Sequence, residues 1–296
     1  MRQSRTSGSA GSGEEQSRRL PNNSHQKPKS QYLTLNSGIK LHYTTMGEGF
    51  PVLFLQGSGP GASGWLNFRY NAAFFANNGY DVIIPDLPGF GDSDKPELDY
   101  TLDFFVEVVL EFADKMDLQQ FALVGNSLGG AISVGVALAQ PERVSHLILM
   151  GCGALEDQPY YGQHMEGIQA MTKVPLGSPE FTPTYLKEVL KLIVFDPKHI
   201  TDELIEERFR VLKTQKPSVF TRMSTPNLTD RLGDIQCPVL GFWGANDRFC
   251  PLSGAEKLVT GCNNAQVITL SKCGHWVMIE HPELFNQRSV EFLQNT

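Results

Sequence analysis

The residues best placed to do chemistry begin with Gly125-Asn-Ser-Leu-Gly129. This is a G-x-S-x-G pattern. An apolar run, Phe121-Ala-Leu-Val124, precedes it, and a helical pattern of small residues follows it. In that context the pattern predicts a sharp strand-to-helix turn with the serine exposed at its tip. Glycine two residues to either side lets neighbouring backbone pass closely. The helix N-terminus adds positive potential beneath Ser127. A serine hydroxyl attacks well only when a base takes its proton and an acid orients that base. Taken in the chain order serine, acid, histidine, the candidates are Asp247 and His275. Asp247 follows the apolar run Val239–Trp243, and His275 follows Val267–Leu270. An isolated pattern of this kind is weak, and a lone histidine is usually structural. Here strand, spacing and order agree. Asp230 and Asp234 precede their strand and read as surface or capping residues. His281 opens the last helix as His281-Pro-Glu and reads the same way. His25, His42, His146, His164 and His199 lack comparable context.

Attack on a carbonyl also needs two N–H donors for the developing oxyanion. One is expected from the backbone of Leu128, the other from the glycine-rich loop Gln56-Gly-Ser-Gly-Pro-Gly61. A phosphate cradle is the competing reading of that loop. No G-K-[ST] follows it and no dinucleotide fingerprint fits, so it is set aside.

These residues need a scaffold. Continuous apolar runs at Val52–Leu55, Val82–Ile84, Phe121–Val124, Leu147–Met150, Val239–Trp243 and Val267–Leu270 read as strands buried on both faces. Helical patterns lie between them, at roughly 66–78, 101–117, 128–140, 253–260 and 282–294. The alternation predicts an α/β fold with a mostly parallel central sheet flanked by helices. Tyr32–Tyr43 around Asn36-Ser-Gly38 predicts a β-hairpin. From about 155 to 231 the strand runs stop and amphipathic helical segments replace them, as in 183–193 and 202–212. A helical cap inserted between core segments 31–154 and 232–296 is expected. The uncharged stretch 121–141 is long enough for a membrane span. Gly125–Gly130 interrupts it, so it reads as strand, turn and helix.

Composition narrows the classes. The 296 residues carry a net charge of −7, with 41% hydrophobic residues. That excludes a collagenous or wholly disordered chain and argues against a nucleic-acid partner. Residues 1–30 hold six basic and two acidic residues, a net +4, so the remainder carries −11. This serine-rich tail cannot bury enough surface to order itself, and disorder is expected. It lacks the apolar segment of a secretory signal; a transit peptide is the alternative to a plain tail. Five cysteines without a C-x-x-C pair suit reduced, buried thiols in a cytoplasmic protein. Neither they nor the histidines show metal-ligand spacing.

Ser127, Asp247 and His275 in this setting resemble the α/β-hydrolase fold over about residues 31–296. Within that fold the chain resembles the meta-cleavage-product hydrolases, carbon–carbon bond hydrolases of aromatic-ring degradation. The shared strings are Gly57-Ser-Gly-Pro-Gly-Ala-Ser-Gly-Trp-Leu-Asn-Phe68, Gly125-Asn-Ser-Leu-Gly-Gly130, Trp243-Gly-Ala-Asn-Asp-Arg-Phe249 and Cys273-Gly-His-Trp276. Haloalkane dehalogenases and epoxide hydrolases carry aspartate at the elbow, so Ser127 points to acyl transfer to water.

The resemblance implies that the Ser58 and Leu128 N–H groups form the oxyanion hole. It implies that Arg208 holds a substrate carboxylate, and that Asn67, Asn126 and Trp276 meet the dienoate end. Phe249, Ile193 and Val194 would line the side holding the variable group. It also implies a small-molecule substrate, no metal or organic cofactor, and a dimer or higher homo-oligomer. Nothing in the chain implies a nucleic-acid or membrane partner. Residues alone leave Arg208 between a solvated charge and a clamp. No acid stands three or four positions away, and Leu204, Ile205, Val211 and Leu212 do. The loop that usually opens His-Gly opens Gln56-Gly here. Carboxylesterase or lactonase activity with the same triad is the alternative, and a hydrolase-like receptor a more distant one.

Overall fold

The computed structural model describes residues 27–295. The expected disorder of the N-terminal tail therefore lies largely outside the described residues. Its inner boundary moves, because the first strand begins at Lys29.

Eight strands form one sheet: β1 (Lys29–Thr34), β2 (Lys40–Met46), β3 (Phe50–Leu55), β4 (Tyr80–Pro85), β5 (Phe121–Asn126), β6 (Val144–Met150), β7 (Val239–Gly244) and β8 (Ala265–Leu270). Their order is β1-β2-β4-β3-β5-β6-β7-β8. β1 pairs antiparallel with β2, and β2 antiparallel with β4. Every later pairing is parallel. The alternating N-terminal runs thus form the expected hairpin, with Tyr32 opposite His42 and Gly38 at φ +86° in its turn. The continuous apolar runs became the inner strands. Val52–Leu55, Phe121–Val124 and Leu147–Met150 are fully buried, because helices cover both faces.

Chain order reverses at β3, which feeds β4 on one side while β5 lies on the other. In open α/β sheets such a switch point opens a crevice at the strands' carboxyl ends. The loops after β3, β5, β7 and β8 all leave that edge. They carry residues 56–61, Ser127, Asp247 and His275 respectively.

Helices Leu102–Lys115, Leu128–Ala139, Ser253–Gly261 and Pro282–Asn295 match their patterns. Thr101 caps the first of these by accepting the Phe104 N–H (3.1 Å). The single helix expected over 66–78 is instead two, Gly64–Phe68 and Ala72–Asn77. Asn71 sits at the break. Its buried amide donates to Met278 O (3.0 Å) and Asn286 Oδ1 (2.9 Å), a long-range anchor that local periodicity does not reveal.

Between β6 and β7 the chain forms helices Gln158–His164, Glu166–Lys173, Pro183–Lys191, Asp202–Leu212 and Ser218–Thr221. Thr182 and Thr201 cap two of them. A two-residue parallel pairing, Tyr100–Thr101 with Met223–Ser224, ties this insertion back to the core. Among the described residues no helix is long and apolar enough to cross a membrane. All five cysteines are free and buried.

Candidate active site

Ser127 occupies the turn between β5 and helix Leu128–Ala139 with φ +55° and ψ −114°. That conformation is costly for a residue with a side chain, of order 1–3 kcal/mol. Its surroundings enforce it. The Ser127 N–H donates to Met150 O (3.0 Å), and Ser127 O accepts from Gly153 N (3.0 Å) and Ala131 N (3.1 Å). The flanking glycines are obligatory. A Cβ on Gly125 would lie 2.4 Å from Gly129 O, and one on Gly129 would lie 2.0 Å from Leu55 O. A Cβ on Gly57 would lie 3.1 Å from the Ser127 Cβ, so the loop after β3 runs directly against the serine.

His275 Nδ1 lies 2.7 Å from Asp247 Oδ2, both side chains buried. The other carboxylate oxygen accepts the N–H groups of Phe249 (2.7 Å) and Cys250 (2.9 Å), which fixes the acid's orientation. The imidazole stacks on Phe249 (5.3 Å between centroids), and the His275 N–H donates to Ile193 O (2.6 Å). Gly151 packs against the pair. A Cβ there would meet His275 Nδ1 at 2.6 Å and Asp247 Oδ2 at 2.8 Å.

Ser127 is common to two lobes of one cleft. The smaller, about 30 Å³, is lined by Ser58, Asn67, Asn126, Arg208, His275 and Trp276, with Ile168, Met171, Ile193 and Phe249 closing it. The larger, about 290 Å³, shares Ser58, Ser127, Ile168, Met171 and Phe249 with the first and adds Leu128. In the small lobe the Asn126 amide donates to Met150 O (3.1 Å) and accepts from Asn67 Nδ2 (3.1 Å). The buried Asn67 Oδ1 has no protein partner.

Arg208 lies on the apolar face that its helical spacing indicated. It is 1% exposed, on helix Asp202–Leu212. Nη1 donates to Pro60 O (2.9 Å), the guanidinium lies 4.9 Å over the Trp276 ring, and Nε is unpartnered. Among the described residues no carboxylate pairs with it. Burial alone lowers it to about 9. A buried guanidinium with no counter-charge has the geometry to pair with an anion. The loop after β3 touches this helix backbone to backbone, since a Cβ on Gly61 (φ +67°) would lie 2.1 Å from Arg208 O.

The cap residues expected beside the substrate are placed separately. Ile193 lines the small lobe, because its segment runs along the histidine loop. Val194 lines neither lobe; it is buried against the backbone of Gly274. Gln56 also turns away from the cleft. In the amide orientation that pairs both atoms it donates to Pro85 O (3.1 Å) and accepts from Leu87 N (3.0 Å).

Other residues gave no local signal. Gln215 accepts from Gly61 N (2.7 Å) and donates to Gly89 O (3.1 Å), so it pins the loop after β3. A second buried His–Asp pair, His42–Asp86 (2.8 Å), also receives Ser30 Oγ at His42 Nε2 (2.8 Å). Asp86 accepts the Gly64 and Asp92 N–H groups as well (2.7 and 2.8 Å), so it fastens the loop after β4. With Asp92, this pair forms a group of three potential ligands within 4.8 Å of one another.

A strained serine over the sheet's switch point, backed from the same edge by a buried imidazole–carboxylate pair, defines an α/β hydrolase. The chain belongs to the alpha/beta hydrolase family, which it matches over residues 52–288, and within that family to the meta-cleavage-product hydrolases. It is 36% identical over 281 residues to a 2-hydroxy-6-oxononadienedioate/2-hydroxy-6-oxononatrienedioate hydrolase of Pseudomonas putida, covering 90% of this chain and 98% of that one. It is also 36% identical, over 279 residues, to a 2-hydroxy-6-oxo-6-phenylhexa-2,4-dienoate hydrolase of Burkholderia cepacia, covering 90% and 96%. The meta-cleavage product hydrolase of Pseudomonas fluorescens IP01 superposes with a TM-score of 0.78 at 29% identity, covering 90% and 97%.

Proposed function

We propose that this enzyme is a serine-dependent hydrolase of 2-hydroxy-6-oxo-hexa-2,4-dienoate type ring-fission products, cleaving their C5–C6 bond. The observation that carries this reading is the buried, acid-free Arg208 in the same small lobe as Ser127 and His275. An ester hydrolase needs no such cation. A dienoate brings the carboxylate that would neutralise it.

The helical insertion serves as a cap, and Arg208 holds the substrate C1 carboxylate. Asn67, Asn126 and Trp276 bracket the adjoining oxygen-bearing end. Asp247 keeps the His275 Nδ1 proton in place, so Nε2 acts as base. The dienol first becomes a ketone, its 2-hydroxyl losing a proton and C5 gaining one. Ser127 Oγ adds to the C6 carbonyl as its proton passes to His275. The N–H groups of Ser58 and Leu128 stabilise the resulting alkoxide. Its collapse breaks C5–C6. The bonding pair moves from C5 through the conjugated chain to the C2 oxygen, which is protonated to give 2-hydroxypenta-2,4-dienoate. Water, deprotonated by His275, then frees the carboxylic acid from Ser127.

Ring-fission dienoates are yellow, so the decay of their absorbance reads the reaction directly. Rapid bleaching that Ser127→Ala abolishes is the expected result. Fast p-nitrophenyl ester turnover without bleaching would overturn it in favour of a carboxylesterase.

A further inference from the structure

The larger lobe points to the chemical nature of the group on C6. We infer that this enzyme prefers an uncharged, apolar C6 substituent, an aryl ring or bulky alkyl group, over one ending in a carboxylate. This rests on the reading above, because it takes Ser127 as the point where the substrate is divided.

The two lobes meet at Ser127, and their chemistry differs. Arg208 and the paired asparagines lie on one side. On the other, the wall is built from Leu128, Ala131, Ile168, Met171, Phe220 and Met223, and no lysine, arginine or histidine lines it. Its polar members are neutral. The Tyr161 hydroxyl accepts the N–H groups of Leu155 (3.2 Å) and Glu156 (3.3 Å), and burial pushes its ionisation far up, so it stays protonated. The Cys250 thiol is buried, and its ionisation is likewise raised. Lys257 reaches Leu155 O beside this wall, but it is already paired with Glu156 (2.6 Å). A carboxylate held against the inner wall would lose water and meet no counter-charge, which is unfavourable; only at the rim do the exposed Gln158 and Thr172 offer neutral donors. An aryl ring meets no such cost. A cavity of about 150 Å³ lined by Leu, Ile and Phe already takes benzene, and this lobe offers about 290 Å³. The relatives include both a dienedioate and a phenyl-dienoate hydrolase at equal identity, so likeness alone does not choose between them. The wall chemistry does.

The test sets the 6-phenyl dienoate against the 6-oxonona-2,4-dienedioate, each followed by loss of colour. The full-length enzyme is expected to show a kcat/KM at least about 100-fold higher on the phenyl substrate. Met223→Lys supplies the missing cation and is expected to narrow that ratio at least tenfold by raising dienedioate turnover. Bleaching of both substrates with the dienedioate equal or preferred would overturn this inference while leaving the carbon–carbon hydrolase reading intact. Bleaching of neither would overturn both.

Discussion

Replacing Arg208 with leucine separates what the guanidinium does for the fold from what it does for the substrate. Burial lowers Arg208 from 12.5 to about 9. At about 1.36 kcal/mol per pH unit, keeping it charged in the empty site costs roughly 5 kcal/mol. The hydrogen bond to Pro60 O offsets about 1.5–3 kcal/mol, and the Trp276 face about 1–2 kcal/mol. The net is a residual cost of about 0–2.5 kcal/mol. Its pH dependence follows from the sign of the change. Below about 9 the folded and unfolded chains are both protonated, and the whole cost is present. Above it, the unfolded chain holds a proton the folded chain has lost, and the cost fades toward 12.5. At pH 7.5 Arg208→Leu is therefore expected to raise stability, in line with other apolar replacements of buried ionic groups. A gain of up to about 2.5 kcal/mol in a chain of this size raises Tm by up to about 4 °C.

Catalysis should move the other way. Losing a buried charge-assisted pair with the dienoate carboxylate costs about 3–5 kcal/mol, or about 10²–10⁴ in kcat/KM. A neutral p-nitrophenyl ester lacks that group and should lose less than about threefold. Thermal melts and the two turnover assays on one preparation read all of this. A variant that melts several degrees lower yet bleaches the dienoate at the parental rate would refute the reasoning. Arg208 would then be a structural keystone and not an anion receptor.

Other perturbations test the supporting structure. Gln215→Leu strips the Gly61 N–H and Gly89 O of their partner. Because that loop carries the Ser58 N–H, kcat is expected to fall about tenfold on dienoate and ester alike, at nearly constant KM. Gly151→Ala places a methyl group against the His275–Asp247 pair in left-handed backbone. A loss above about 100-fold is expected with the circular dichroism unchanged, together with a shift of the downfield imidazole Nδ1 proton by NMR. His42 is raised above 6.5, chiefly by its hydrogen bond to Asp86. Its stabilising contribution is thus full below pH 6.5 and lost as pH rises through the folded value. The difference in urea midpoint between the parent and His42→Gln should be larger at pH 5.5 than at pH 9.

The sheet was readable from composition because its inner strands are buried on both faces and leave uninterrupted apolar runs. The elbow was readable because glycine is compulsory at 125 and 129 for reasons of contact, and chain order then directed attention to Asp247 and His275. Arg208 was half readable. Helical spacing put it on the apolar face, but that spacing cannot tell snorkelling from burial. The walls of the larger lobe were not readable. Ile168 and Met171 come from helix Glu166–Lys173, and Phe220 and Met223 from the stretch 218–224 some fifty positions on; neither segment's local pattern marks a binding wall, and only their docking over Ser127 selects them. The break at Asn71 was hidden for the same reason, since its partners lie more than 200 positions away.

The small lobe poses a mechanical question. Its volume of about 30 Å³ is close to one water's share of liquid volume, far below that of a five-carbon dienoate. Substrate must therefore displace part of the wall. The candidates are unequal. Asn67 and Asn126 are bonded to each other and to β6, and His275 is held by Asp247 and by Ile193 O. Helix Asp202–Leu212 is coupled to the loop after β3 through Arg208 and the following Gln215, so it cannot retreat without carrying Ser58 along. Helix Glu166–Lys173 has no such tie to the loop after β3. It supplies Ile168 and Met171 to both lobes, and its backbone contact to the core includes the Gly167 N–H on Arg248 O (2.9 Å). It is held instead from the cap side, where the Tyr185 hydroxyl donates to Ala170 O, and at Gly167, which packs against the Phe249 ring. The division is physical: Arg208 and the loop bearing Ser58 are tied together by hydrogen bonds, while Ile168 and Met171 present only apolar side chains to both lobes.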